Sequence, residues 1–210
     1  MSDLLAIFPL PNVVLFPGVF LPLHIFEPRY REMVAEALAT DRLIGMVLLR
    51  EGWQSHYRER PPVYTVGCSG LIAHSETLPD GRHNIVLRGL DRFRIVSEDH
   101  TLTYRRAKTE PMPEPELTSQ ECVRLRQNRA RIEELIASSE RGRGFDPRAA
   151  EALSDQDLVN ALAQYLDLEA IEKQALLEQP GVSARATALI ELLEMKTLLA
   201  RHPSVSPLTN

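Results

Sequence analysis

Residues 4–31 read LLAIFPLPNVVLFPGVFLPLHIFEPRYR, an apolar stretch that prolines interrupt repeatedly. Because proline lacks an N–H donor and fixes φ, no continuous helix can run through this stretch. The sequence therefore predicts short strands, with a tight turn at Phe16-Pro17-Gly18 and a buried strand over residues 19–26. His24 lies inside that strand and is expected to be a core histidine bonded to the backbone. Pro28 suits the first position of a helix, so a helix is predicted to begin there.

The composition is that of an ordinary globular protein. The chain has 210 residues, of which 44% are apolar and 25% charged, and its net charge is −5. A negative balance argues against nucleic acid as the main partner. The prolines break the apolar run that a secretory signal peptide or a membrane-spanning helix requires, and no lysine or arginine precedes Arg29. We therefore expect a cytoplasmic protein that does not associate with membranes.

Beyond this stretch the chain divides into a β-rich half and a helical half. An apolar run over residues 43–49 and a glycine-containing strand over residues 63–78 predict a sheet that curls into a small barrel. The proline-rich segment 111–115 is typical of a stiff linker, and helical periodicity begins behind it. We predict a β-rich subdomain over residues 1–116, a helical bundle over residues 117–202 and a mobile tail over residues 203–210.

Three motifs distributed over both halves carry a resemblance to a known family. They are Leu21-Pro22-Leu23-His24-Ile25-Phe26-Glu27-Pro28-Arg29-Tyr30, Arg88-Gly89-Leu90-Asp91-Arg92-Phe93 and Lys173-Gln174-Ala175-Leu176-Leu177-Glu178. Their order resembles that of the amino-terminal, substrate-binding domain of the Lon protease family. The resemblance implies an α+β fold, in which a PUA-like β pseudobarrel with one helix is followed by an all-helical bundle. It also implies that residues 88–93 form a strand–turn–strand unit.

The catalytic parts of that family have no counterpart in this sequence. Lon proteases continue into an ATPase module and a Ser-Lys peptidase. The only lysines of this chain are Lys108, Lys173 and Lys196, and none follows a glycine, so the sequence contains no G-x-x-x-x-G-K-[ST] phosphate loop. No Ser-Lys dyad is recognisable, and no histidines or cysteines have metal-ligand spacing. We therefore expect a stand-alone, peptidase S16-like protein that is not an enzyme and needs neither cofactor nor metal.

The function implied by the resemblance is recognition of polypeptide substrates, as a substrate-recognition or adaptor module. The expected partner is an unfolded or extended polypeptide, in connection with a protease or chaperone system. Trp53 and Tyr57 lie in the polar loop over residues 51–62, where aromatic side chains could anchor a peptide. Trp53 could equally fold back as a lid over the barrel. Arg29 and Tyr30 offer a docking point at the start of the first helix, or else they cap that helix and cover its stem.

A second hypothesis is an RNA-binding PUA-like module that uses the region Arg88–Arg106. Arg88 and Arg92 are its predicted contacts, and Arg94, Arg105 and Arg106 complete the densest basic group of the chain. The alternative is structural, with Arg88 and Arg92 paired to Asp91 across a turn. Acidic neighbours dilute the positive charge of this group, which favours the structural alternative.

Overall fold

The structure is a computed structural model that describes residues 4–56, 60–137 and 150–201, with the side chains of His56 and Arg201 left out. Tyr57 and the predicted tail over residues 203–210 lie outside the described residues. The chain divides into two compact units. The first unit contains the residues up to Glu114 together with Leu168–Glu178, and the second contains Pro115–Asp167 and the residues from Gln179 onward.

The first unit is a mixed six-stranded sheet with α-helices, which confirms the predicted α+β class. The strand order is β2-β5-β4-β3-β1-β6, and β5 also pairs with β6, so the sheet closes on itself and β2 lies at its edge. Strands β1 and β3 are parallel, whereas the other neighbouring strands are antiparallel. In chain order the elements are β1 (Leu4–Leu10), β2 (Phe20–Ile25), α1 (Pro28–Ala39), β3 (Leu43–Leu48), a 3-10 turn (Trp53–His56), β4 (Val66–Thr77), β5 (His83–Asp99), β6 (Arg105–Met112), α2 (Ser119–Ala137), α3 (Asp155–Tyr165), α4 (Ala170–Leu177) and α5 (Val182–Arg201).

The predicted turn at Phe16-Pro17-Gly18 joins the N-terminal strands to β5. Gly18 adopts a φ of 77°, which glycine tolerates without steric cost. Its N–H donates to the Gly89 carbonyl at 2.9 Å, and the Gly89 N–H donates to the Val19 carbonyl at 2.8 Å. A Cβ atom at position 89 would lie only 2.0 Å from the Phe16 carbonyl oxygen. Residue 89 must therefore be glycine for the turn to approach β5 this closely.

The segment over residues 88–93 is not a strand–turn–strand unit, so that prediction is wrong. It lies within β5, a continuous strand of 17 residues. The first part of β5 pairs with β2, and the last part pairs with β6. Register shifts between Cys68 and Gly70 of β4, and between Ile95 and Ser97 of β5, accompany this change of partner. Such bulges bend and twist a strand, so a long strand can change partners without a turn.

Helix α4 belongs to the first unit, although the sequence prediction placed it in the helical bundle. The Gln174 side-chain amide donates to the Val66 carbonyl at the start of β4, at 3.0 Å. Leu176 and Leu177 are both buried. Because these contacts join positions about a hundred residues apart, periodicity along the chain could not assign α4 to the sheet. The motif Lys173-Gln174-Ala175-Leu176-Leu177-Glu178 thus supplies the contacts that anchor a helix to the sheet.

The second unit is helical in the part that the structure describes, and it contains α2, α3 and α5. Helix α3 begins at a Ser154 cap, whose hydroxyl accepts a hydrogen bond from the Asp157 N–H at 3.1 Å. The fully buried Arg185 donates to the Asn160 side-chain oxygen at 2.7 Å, which links α5 to α3. Among the helices within the described ranges, none combines the length and apolar character needed to cross a membrane.

Candidate functional site

The outer side of strand β2 exposes aromatic side chains. Phe20 is 50% exposed, and Phe26, directly after the strand, is 61% exposed. Pro22 and His24 lie between them and are also exposed, whereas Ile25 is buried. We call the surface formed by Phe20, Pro22, His24 and Phe26 the β2 face. The prediction of a strand buried throughout residues 19–26 is therefore wrong, because β2 is an edge strand that packs only one of its sides inward.

His24 is a surface residue of the β2 face and not a core histidine. Its Nδ1 atom lies 2.7 Å from the Asn84 side-chain oxygen on the neighbouring strand β5. Its ring is stacked on that of Phe26, with the ring centroids 6.2 Å apart. These contacts fix the two rings as one platform that a partner can meet without first ordering them.

Arg88 lies at the other end of β2, beside Phe20, and is the one predicted arginine contact on the β2 face. Its Cα is the partner of Phe20 in the β2–β5 ladder, and opposite residues in a ladder point to the same side of a sheet. The Arg88 side chain is exposed, and among the described residues it has no ion pair with a carboxylate. The β2 face therefore combines two exposed phenylalanine rings with an adjacent positive charge.

The backbone edge of β2 is poorly suited to pairing with a further strand. Pro22 lies opposite Val86 in the β2–β5 ladder and has no N–H. Proline on an edge strand removes a donor from the side that an incoming strand would need. The β2 face is consequently better suited to side-chain contacts than to the addition of a strand.

Arg29 and Tyr30 mainly cover the start of α1, as the alternative interpretation held. Arg29 forms an ion pair with Glu27 at 2.9 Å, and its guanidinium lies 4.5 Å from the centroid of the Tyr30 ring. Tyr30 is buried, with its ring 4.5 Å from that of Phe8. Tyr30 is therefore not available to a partner on this surface, and Arg29 is only partly so.

Trp53 lies on the core of the closed sheet and does not project from the loop. It is half-buried in the 3-10 turn and acts as the lid that the alternative interpretation described. Its predicted role as an exposed anchor therefore does not fit its position, while Tyr57 lies outside the described residues. The buried core cluster beneath Trp53 consists of Ile7, Val47, Leu49, Val63, Phe93 and Ala107.

Arg92 is buried, which corrects its predicted role as a surface contact. Only 2% of Arg92 is exposed, and its Nε atom lies 3.1 Å from a carboxylate oxygen of Glu114. Its Nη1 atom donates to the Leu177 carbonyl at 3.0 Å. Arg92 thus pairs with Glu114 and not with Asp91, and it anchors the end of α4.

Two further arginines of the predicted basic group, Arg105 and Arg106, are also engaged within the molecule. Arg105 is buried, donates to the Pro61 carbonyl at 2.7 Å and lies 3.3 Å from Glu98, and burial lowers the pKa of its guanidinium. Arg106 contacts Asp99 at 2.6 Å and, together with Thr101, holds the pKa of that carboxyl below its usual value. Of the five arginines in this group, only Arg88 and Arg94 are fully exposed, so the region forms no continuous basic surface.

Within the described residues there is no group of three or more histidine, cysteine, aspartate or glutamate side chains that could hold a metal ion.

The exposure of Phe20 and Phe26 could not be predicted from the sequence, because apolar residues also occupy the other side of β2, at Leu21, Leu23 and Ile25. Only the strand order, which places β2 at the edge, distinguishes its outer side from its inner side.

Comparison with known proteins places the chain near Lon proteases. Residues 5–195 match the family described as the ATP-dependent protease La (LON) substrate-binding domain. Lon protease 2 of Syntrophobacter fumaroxidans is 28% identical over 185 residues, which cover 88% of this chain and 23% of that protein. Lon protease of Paraburkholderia phytofirmans is 29% identical over 198 residues, which cover 89% of this chain and 24% of that protein. The chain thus spans about a quarter of the length of these relatives.

Solved structures show the same fold. The N-terminal domain of Mycobacterium avium complex Lon protease superposes with a TM-score of 0.70 at 18% identity, covering 91% of this chain and 98% of that one. A Lon N-terminal domain protein from Xanthomonas campestris gives a TM-score of 0.62 at 22% identity, covering 90% and 97% of the two chains. With a family match that extends over most of its residues, the chain belongs to the Lon substrate-binding domain family.

Proposed function

We propose that the protein is a non-catalytic module that binds unfolded or extended polypeptides through the β2 face. The proposal includes a cytoplasmic location, a PUA-like classification of the closed sheet and a role beside a protease or chaperone system. The match to a substrate-binding domain supports this proposal, because substrate binding is the property that the description of the family names.

The observation that carries the proposal is the exposure of Phe20 and Phe26 on one edge strand. Exposed apolar side chains that occur singly are common, but two large aromatic rings on one strand are typical of a recognition surface. Burying an aromatic side chain against a partner contributes about 1.5–3 kcal/mol. Two such contacts supply about 3–6 kcal/mol, which even before the entropy lost on association corresponds to a Kd no tighter than tens of micromolar, so binding through this face alone is weak.

Arg88 would add selectivity to these contacts. A guanidinium beside an aromatic ring can bind peptide carbonyl oxygens or a carboxylate while its planar face stacks on the partner's side chains. These interactions do not depend on a particular sequence in the partner. The chemistry of the β2 face is therefore compatible with many extended chains that carry apolar side chains.

The test is a titration of a fluorescently labelled, permanently unfolded polypeptide with the purified protein and with Phe26→Ser. We expect saturable binding by the wild type and about a tenfold or greater loss for Phe26→Ser, because an aromatic contact of roughly 1.5 kcal/mol corresponds to that factor. Absence of saturable binding by the wild type at millimolar concentration would refute the proposal.

Val96→Ser is the matched control. Val96 lies on β5, is 51% exposed and is outside the β2 face. The substitution removes a similarly exposed apolar side chain without touching Phe20, Phe26 or Arg88. If Val96→Ser weakens binding as much as Phe26→Ser does, the contact is nonspecific and the β2 face is not the binding surface.

A further inference from the structure

A second concave surface lies in the first unit, beside the C-terminal end of α1. It is a pocket of about 510 Å³ between α1, β1, the start of β3 and the start of β6. Its walls are mostly apolar and include Ala6, Met33, Ala37 and Leu43. Ligand pockets commonly have volumes of about 300–1,000 Å³ and combine apolar walls with a few polar groups. We call it the α1 pocket.

Two of the three charged side chains that line the α1 pocket, Glu36 and Asp41, are acidic, and the third is Arg106. Glu36 accepts a hydrogen bond from the Tyr104 hydroxyl at 2.5 Å, and Asp41 accepts one from the Leu43 N–H at 3.0 Å. Neither carboxylate forms an ion pair with a described lysine or arginine. Each hydrogen bond orients its carboxylate but leaves its negative charge uncompensated.

The one arginine that lines the pocket does not neutralise these carboxylates. Arg106 donates from Nε and Nη2 to the same oxygen of Asp99, at 3.0 and 2.6 Å. Its charge is therefore already balanced by a residue outside the pocket lining. Arg42 follows Asp41 in sequence but does not line the pocket. The pocket retains the negative charges of Glu36 and Asp41.

The end of α1 adds to this negative potential. The C-terminus of a helix carries a partial negative charge from its unsatisfied carbonyl groups. Basic side chains usually compensate it, but the last turn of α1 contains none. Thr40, the capping residue, and Asp41 both line the pocket at this end. The site therefore favours a positive charge at one end and aliphatic carbon along its walls.

From this combination we infer that the α1 pocket binds a lysine or arginine side chain of the polypeptide partner. The aliphatic stem of such a side chain packs on Ala6 and Leu43, while its cationic head meets Glu36 and Asp41. The inference rests on the proposed polypeptide-binding function and specifies its substrate class. Chains with apolar and basic side chains would be preferred over chains with apolar side chains alone.

The test compares two labelled, unstructured peptides that are identical except for one central residue, which is lysine in one and norleucine in the other. Norleucine keeps the aliphatic stem and removes the charge. For the wild type we expect the lysine peptide to bind roughly five- to tenfold more tightly, as two partly exposed charge contacts and a helix terminus would provide. For Glu36→Gln/Asp41→Asn we expect this preference to fall to about one.

The variant is designed to keep the fold. Glutamine still accepts the Tyr104 hydroxyl hydrogen, and asparagine still accepts the Leu43 N–H. The control, Glu110→Gln/Asp91→Asn, removes two exposed carboxylates elsewhere in the first unit and makes the same change in net charge. It should leave the preference for the lysine peptide intact.

The possible outcomes distinguish a failure of the α1 pocket as a basic side-chain site from a failure of the proposed polypeptide-binding function. If both peptides bind the wild type equally, or if Glu36→Gln/Asp41→Asn keeps the preference, the α1 pocket is not a basic side-chain site although polypeptide binding stands. If the control loses the preference as well, long-range charge and not the pocket is responsible, and the inference is refuted. If neither peptide binds at millimolar concentration, the proposed function fails and the inference fails with it.

Discussion

Substituting Gly89 by alanine should destabilise the first unit strongly, although it adds only one methyl group. The new Cβ atom would lie 2.0 Å from the Phe16 carbonyl oxygen and 3.3 Å from the Cα of Pro17. Because the nearest atom is backbone, a side-chain rotation cannot relieve the overlap. The turn at Phe16-Pro17-Gly18 would have to move away from β5.

The loss of unfolding free energy can be estimated from the contacts that this movement of the turn disrupts. Overpacking a close contact costs about 1–3 kcal/mol. The movement also disrupts the two hydrogen bonds between the turn and Gly89, which contribute about 0.5–1.5 kcal/mol each. The free energy of unfolding should therefore fall by about 2–6 kcal/mol, which for a chain of this length lowers Tm by roughly 4–24 °C.

The fluorescence of Trp53 gives a direct assay. It is the only tryptophan in the sequence, and it packs against the core of the closed sheet, so its emission reports unfolding of the first unit. Urea titrations of wild type and Gly89→Ala, followed at this emission, measure the change. Circular dichroism, to which the helical second unit contributes strongly, follows the rest of the chain.

Gly70→Ala is the matched control, because Gly70 lies in the neighbouring strand β4. A Cβ atom there would meet the Cδ2 of Leu15 at 3.0 Å, and the end of a leucine side chain can move aside. We expect a loss of no more than about 1 kcal/mol for this variant. If Gly89→Ala destabilises the protein no more than Gly70→Ala, the close approach of the turn is not what requires glycine at position 89.

Two further predictions concern Arg92 and Tyr104, whose contacts within the fold the sequence did not identify. Arg92→Met should cost about 1.5–3 kcal/mol, because it removes a buried guanidinium that donates to the Leu177 carbonyl and pairs with Glu114. Hydrogen exchange should increase most in α4, where the bond to the Leu177 carbonyl is lost. Unchanged exchange in α4 would contradict this role. Burial and the hydrogen bond to Glu36 raise the pKa of Tyr104. A raised pKa contributes stability that is complete below the value of about 10 for unfolded tyrosine and is lost as the pH rises through the folded value. Wild type should therefore lose stability more steeply than Tyr104→Phe in urea titrations from pH 9 to 11, and parallel curves would contradict the prediction.

Local turn chemistry explains which parts of the fold could be predicted. The hairpin turn at Leu78-Pro79-Asp80-Gly81 consists of residues that favour such a turn, with the Gly81 N–H donating to the Leu78 carbonyl at 2.9 Å and Gly81 at a φ of 79°. The start of α1 at Pro28 is likewise where the sequence placed it. Both depend on the conformational preferences of proline and glycine within a few residues, which a sequence displays directly.

Long-range partners explain what could not be predicted. Arg92 and Leu177 are 85 positions apart, and Gln174 and Val66 are 108 apart. The sequence around each of these residues therefore does not indicate its partner. An arginine is usually exposed, and only the closed sheet reveals that Arg92 is buried. The β2 face was hidden for a related reason, since Phe20 and Phe26 are as apolar as Leu21, Leu23 and Ile25 on the other side, and only the place of β2 in the sheet exposes them.

The positions of the family motifs bear on where specificity should be sought. Gly89 receives the N-terminal turn, Arg92 holds the end of α4, and Gln174 holds the start of β4. These motif residues connect elements within the first unit, and none of them lines the β2 face or the α1 pocket. The stretch over residues 21–30 is different, because it supplies both the edge strand and the exposed ring of Phe26.

Similarity to other members of the family at Gly89, Arg92 and Gln174 therefore indicates a shared fold but not a shared choice of partner. Substitutions at Gly89, Arg92 or Gln174 should change stability while leaving the relative affinities for different polypeptides unaltered. Substitutions at Phe26 or Glu36 should do the opposite, because these side chains contribute little to the core and lie where a partner would. A variant at Gly89, Arg92 or Gln174 that retains its fold but changes which peptides it prefers would show that binding and folding are coupled in this domain.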